Sequence, residues 1–181
     1  MLIFVYAIAT GVFIFLFLLE RVDLLRPLKH PLWERLFVNF WVTALAFGVN
    51  AAVVQPSTKF IVQWTHQKAL GLIQLLELPG AIEFGIAFLL MDLTFYYWHR
   101  ANHRFRFLWR FHNVHHIDPD LDISTGFRFH FVEIALSAGF RALQVALIGV
   151  SAWTYALYEL AFQANTLFHH SNVRLPIWLE R

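Results

Sequence analysis

The sequence predicts an all-α integral membrane helical bundle, and three observations predict it. Hydrophobic residues make up 59% of the 181-residue chain and charged residues 14%, against roughly 45–50% and about 25% in soluble domains. Twenty Phe and seven Trp are more apolar surface than one small aqueous core can hide, so much of it must face lipid. Charge-free apolar runs also recur at lengths that cross a bilayer. This composition excludes a disordered chain. A net charge of +2 gives nucleic-acid binding no support. With no cysteine there is no disulfide framework, thiolate nucleophile or thiolate-held metal, which leaves His and carboxylates as candidate metal ligands.

The elements follow in order. Residues 2–19 carry no charge and as a helix would be about 27 Å long, close to the roughly 30 Å hydrocarbon thickness. No basic residues precede this run and it ends in Glu20-Arg21, so it reads as an uncleaved anchor rather than a signal peptide. Residues 36–54 form a second span closed by Gln55-Pro56-Ser57, and 81–98 a third opened by Pro79-Gly80. Between them, 69–78 is too short to cross and is expected at the interface. Residues 131–150 and 151–168 make a fourth and fifth span, joined as a tight helical hairpin around Gly149-Val150-Ser151. Arg141 and Glu159 each lie nine residues from position 150, so antiparallel packing predicts that they pair within the apolar region. The reading is one multi-pass membrane domain over 1–181 with about five spans and no internal repeat.

The Lys/Arg excess belongs on the cytoplasmic side. Segment 20–35 holds Arg21, Arg26, Lys29 and Arg35, segment 99–130 holds Arg100, Arg104, Arg106, Arg110 and Arg128, and the tail holds Arg174 and Arg181; the opposite side has Lys59 and Lys68. This predicts the N-terminus outside and a His-rich helical segment on the cytoplasmic face.

Five of the ten histidines fall between His99 and His116. His99 and His103 are spaced i,i+4, and His112, His115 and His116 are spaced i, i+3, i+4, so each group projects imidazoles from one helix face. His169 and His170 close the fifth span at the same expected face. One metal needs three or four imidazoles; seven point to two metals. His30 and His66 read as ordinary loop residues.

The segments His99-Arg-Ala-Asn-His103, His112-Asn-Val-His115-His116, Ser124-Thr-Gly-Phe-Arg128-Phe-His130-Phe-Val-Glu133 and Phe168-His-His170-Ser-Asn172 together resemble the fatty acid hydroxylase / sterol desaturase superfamily, from about residue 80 to the end. The resemblance implies a membrane oxidoreductase that holds two iron ions, with zinc able to replace them in a purified sample. It uses O₂ as co-substrate to hydroxylate or desaturate a sterol, fatty acyl or alkylglycerol-type lipid taken from the bilayer. Residue by residue it makes His99, His103, His112, His115, His116 and His170 the metal ligands, with His169 beside the matching position. The family pattern carries a further HxxHH cluster after Phe-His-His-Ser-Asn, which this sequence does not reach. Two imidazole-held irons want about eight ligands, so the chain is expected to be a fragment whose tail completes the site.

Asp92 lies two helical turns before His99 on one face, a candidate carboxylate to orient a metal-bound imidazole. Asp118, Asp120 and Asp122 read as turn and capping residues. His130 and Glu133, at i,i+3, are expected to pair, and His130 to neighbour the site. No flavin, haem or nicotinamide fingerprint is present, so electrons must come from an external donor protein. The competing reading is a His-rich membrane metal-binding or metal-transport protein without redox catalysis, but transport wants ligands near the bilayer midplane and these sit at span ends. A zinc hydrolase is disfavoured by the absence of HExxH.

Overall fold

The computed structural model describes residues 2–76 and 78–178, which are almost wholly helical. Helix α1 spans Leu2–Val22, α2 Leu32–Val49, α3 Gln55–Gln67, α4 Leu72–Leu75, α5 Gly80–Arg104, α6 Arg106–His116, α7 Phe131–Ile148 and α8 Ala152–His170. Among the described residues three stretches are both long and apolar enough to cross a membrane: Leu32–Leu75, Gly80–Arg104 and Phe131–Ile148. Helices α1 and α8 run beside them with 21 and 19 residues. Large apolar side chains stand exposed along the outer faces, Phe40 on α2, Leu89 on α5 and Leu147 on α7 among them, as lipid-facing surfaces require.

The second span does not close where the sequence reading put its end. The chain continues through a π-helical turn, Asn50–Val54, directly into α3. In that turn the Gln55 amide donates to the Asn50 carbonyl five residues back. Pro56 then falls in the first turn of α3, where its missing N–H and its ring are tolerated. Nor does the 69–78 segment simply lie at a surface. Its described residues fold over the α7–α8 turn, with the Gln74 amide donating to the Gly149 carbonyl at 3.0 Å. Gly71 and Gly149 both have positive φ, 104° and 77°, and a Cβ on Gly71 would sit 2.4 Å from the Gly149 backbone. Two glycines are what permit this approach.

Helix α5 packs against both arms of the α7–α8 hairpin, around a core of Ala87, Met91, Val145, Ile148 and Tyr158. The hairpin's ion pair forms as expected: Arg141 meets Glu159 at 3.2 Å. The Arg141 guanidinium also donates to Gln144 at 3.0 Å and lies over the rings of Phe95, Tyr158 and Phe162. Removing one partner leaves an uncompensated charge among apolar rings. Because Glu159 keeps a quarter of its side chain exposed, Glu159→Ala should cost toward the lower end of the roughly 3–5 kcal/mol typical of broken buried pairs. Thermal unfolding in detergent reads this, and a surface-like change in Tm would contradict it.

The segments that the charge count groups together do gather at one end of the bundle. Leu24 bridges antiparallel to Val173. The buried Glu20 carboxylate accepts from the amides of Ile123 and Asn172 at 3.1 and 3.0 Å. Arg35 of α2 reaches the 118–122 loop, pairing with Asp118 at 3.0 Å and Asp122 at 2.5 Å and donating to the Asp120 carbonyl. Asp122 also caps the 3₁₀ turn Ile123–Phe127. The turn reading of the three aspartates therefore holds for Asp122 and for Asp118, whose carboxylate accepts from the Asp120 amide at 3.2 Å. The clasp on Arg35 is additional, because its partners are more than 80 residues away in sequence.

Candidate metal centre

The site begins with a helix break. Phe105 is extended, with φ −94° and ψ 121°, so α5 stops at Arg104 and α6 restarts at Arg106 in a new direction. That turn brings the α6 imidazoles to the end of α5. His103 Nε2 lies 3.2 Å from His99 Nε2 and 3.3 Å from His112 Nε2, and His116 Nε2 lies 3.1 Å from His112 Nε2. His115 points to α8, where its Nε2 meets His170 Nε2 at 2.7 Å. The two groups join through His115 and His116, with ring centroids 5.0 Å apart. All six histidines singled out in the sequence thus converge, as a group of four and a group of two.

The outer ring nitrogens say which atoms face inward. His112 Nδ1 lies 2.7 Å from Glu133 Oε1; a carboxylate only accepts, so Nδ1 carries the proton and Nε2 offers a lone pair. His170 Nδ1 donates to the Thr166 carbonyl at 2.7 Å, with the same result. Lone pairs facing one another across 2.7–3.3 Å repel unless a proton or cation lies between them. Ligands bonded at about 2.0–2.1 Å to one metal at tetrahedral to octahedral angles stand roughly 2.8–3.4 Å apart, a range that holds the contacts in the group of four. The donor set therefore fits a metal. Burial, reinforced by His170 and the other neighbouring imidazoles, pushes His115 down to about 3. Burial together with His112 and His103 lowers His116 to about 4. Both are neutral at physiological pH, the state a ligand needs. Phe129 stacks on His115 and Trp109 on His116.

Asp92 does not reach the cluster. It is exposed on α5, and no hydrogen bond or ion pair joins it to an imidazole among the described residues. Two helical turns put it about 10 Å along the axis from His99, which a shared face does not shorten. The carboxylate that meets a cluster imidazole is Glu133, missed because its partner is His112 and not His130. His130 instead caps α7, its Nδ1 accepting from the Val132 amide at 3.1 Å, although its ring lies beside Phe111. His169 is exposed against Phe168, and half-exposed His30 pairs with Asp120 at 3.1 Å. Glu133→Gln keeps the shape and removes the charge. It should weaken metal retention about tenfold, the lower end of the roughly 10–100-fold range for such partners; unchanged affinity in a chelator competition would deny Glu133 the role.

Membrane-length helices with six imidazoles gathered at one end, three of them on the short α6, define a helical membrane protein with a histidine cluster. Residues 84–181 match the family described as Fatty acid hydroxylase, and the chain belongs to that family. It is 32% identical over 122 residues to the alkylglycerol monooxygenase of Danio rerio, an alignment covering 66% of this chain and 27% of that protein. The chain therefore spans about a quarter of the length of this curated relative. No solved structure matches it.

Proposed function

We propose that the chain forms the membrane and histidine-cluster part of an O₂-dependent di-iron lipid hydroxylase. Its ligands would be His99, His103, His112, His115, His116 and His170, its centre would lie on the cytoplasmic side with the N-terminus outside, and its electrons would come from a separate donor protein. The observation that carries the reading is the convergence of six imidazoles, two of them, His112 and His170, with the inward nitrogen fixed as the lone-pair donor, at one end of a bundle of membrane-length helices in a chain of this family. These six residues would hold the iron, which would supply oxidation of an unactivated C–H bond with O₂. Glu133 and the Thr166 carbonyl hold His112 and His170 in the ligating tautomer. Phe129, stacked on the buried His115, keeps water from that side, while His99, His103 and His116 stay exposed and leave a side open to a bilayer lipid. The relative's name supports an alkylglycerol-type lipid as substrate and hydroxylation over desaturation.

The test is to purify the protein from iron-supplemented cells, measure bound metal, and follow O₂ consumption with and without alkylglycerol and a chemical reductant. Two irons with lipid-dependent O₂ uptake are expected. Zinc in a fresh sample that iron can replace with recovery of turnover agrees with the proposal. Zinc that iron cannot replace, with no turnover, favours a metal-binding protein without redox catalysis.

A further inference from the structure

The corner between α5 and α6 carries charge that nothing else in the fold uses. Arg100, Arg104, Arg106 and Arg110 are all exposed, and none has a carboxylate within ion-pair distance among the described residues. Apart from exposed Glu34, the acidic groups at this end are engaged elsewhere: Glu20 with Arg21, Asp23 with Arg174, the 118–122 aspartates with Arg35, Arg128 and His30, and Glu133 with His112. Two of the free guanidinium groups, Arg104 and Arg106, line a cavity of about 160 Å³ together with His103 and Trp109. Like charges gathered at one notch repel, and an anion between them removes that repulsion.

Depth says which anion. As a helix of 25 residues, α5 is about 37 Å long against a hydrocarbon layer of roughly 30 Å, so its final turn emerges among headgroups. Aromatic residues alternate with the arginines there, and Phe105 and Phe107 are 60% and 58% exposed, a costly arrangement in water and a favourable one at an interface. Helix α6 turns His112 and His115 inward and Arg106, Phe107 and Arg110 outward, the division of a helix lying in an interfacial plane.

We propose that the notch formed by Arg104, Arg106 and Trp109 beside His103 binds the phosphate of an anionic membrane phospholipid and seats the α5–α6 corner in the headgroup layer. Zwitterionic lipids bind less well because their own ammonium group competes for the phosphate.

The test titrates the purified protein in neutral detergent with short-chain phosphatidylglycerol, with diacylglycerol of the same chains, and with inorganic phosphate, reading bound lipid by native mass spectrometry. Phosphatidylglycerol should bind at least tenfold tighter than diacylglycerol. The double variant Arg104→Gln, Arg106→Gln should lose about 30-fold of that affinity, the factor two basic residues carry at a membrane surface, with metal content and Tm unchanged. Arg104→Lys, Arg106→Lys should recover most of it. If the double variant unfolds, each single Gln substitution carries the test, with about a fivefold loss expected. The proposal is overturned if the wild type does not discriminate between the two lipids, if the Gln variants keep the preference, or if inorganic phosphate binds as tightly as the lipid. It is also overturned if the arginines prove to bind an acidic protein and no lipid. A lipid preference in a protein that cannot be loaded with iron and shows no turnover would leave this site standing and remove the di-iron proposal instead.

Discussion

His112→Ala is expected to empty the metal centre. The ring is buried, 1% exposed, and its Nε2 stands between His103 and His116 at 3.3 and 3.1 Å, so it is the hub of the group of four. Changes one shell further out already weaken metal by about 10–100-fold; deleting the hub should exceed that and bring lipid oxidation to background. The same change strands the Glu133 carboxylate in a buried site, at about 1–3 kcal/mol of stability. The control is His130→Ala, which removes a helix cap for about 1 kcal/mol and should leave metal content intact. Elemental analysis of the two variants separates the roles, and equal metal in both would defeat the assignment of His112.

Arg35→Ala should be the most destabilising change at this end of the bundle. The arginine side chain is 5% exposed, and Asp118 and Asp122 are 2% and 0% exposed. Its removal leaves the two buried carboxylates only their longer contacts, Arg128 to Asp118 at 3.6 Å and Arg21 to Asp122 at 3.5 Å, so the cost should fall toward the lower end of the roughly 3–5 kcal/mol of a broken buried pair, or about 10 °C in Tm for a chain of this size. Arg35→Lys should not rescue fully, since one ammonium cannot reach Asp118, Asp122 and the Asp120 carbonyl with the fork geometry of a guanidinium. Burial alone would raise the Asp118 carboxyl, but hydrogen bonds from Arg35 and Thr125 outweigh it and hold it below the usual carboxylate range. A carboxyl depressed on folding contributes stability above its unfolded value of about 3.9 and loses it as pH falls through the folded value. The gap between wild type and Arg35→Ala should therefore narrow on acidification below about pH 4. A gap independent of pH would mean that the arginine acts by packing alone.

Helices and imidazoles were legible in the sequence for the same reason: both are periodic. Apolar runs of bilayer length marked the spans, and i,i+3 and i,i+4 spacings marked His99–His103 and His112–His116 as shared faces. The Arg141–Glu159 pair was legible because a tight turn makes register a matter of counting. Local signals failed where a second segment decides. Pro56 looks like a stop signal, but a π-turn just before it absorbs the irregularity. Asp92 shares a face with His99 but not a height. Glu133 and Arg35 find partners 21 and more than 80 residues away, which no window along the chain contains.

The way Asn172 returns to the start of the chain sets an order of assembly. Five of the six imidazoles lie on the neighbouring helices α5 and α6, and the group of four among them can gather as soon as both have left the ribosome. The remaining contacts are remote: His115 meets His170 across 55 residues, and Glu20 meets the Asn172 amide across 152. Loops of that length close late in folding, so the N-terminal helix lacks its partner until α8 has been made. Chains stalled before residue 152 should leave residues 20–31 open to protease, and chains released after residue 178 should protect them. A metal held by the His115–His170 pair would therefore have to wait until α8 has been made, and before that a nascent chain can offer only the group of four to a stray cation.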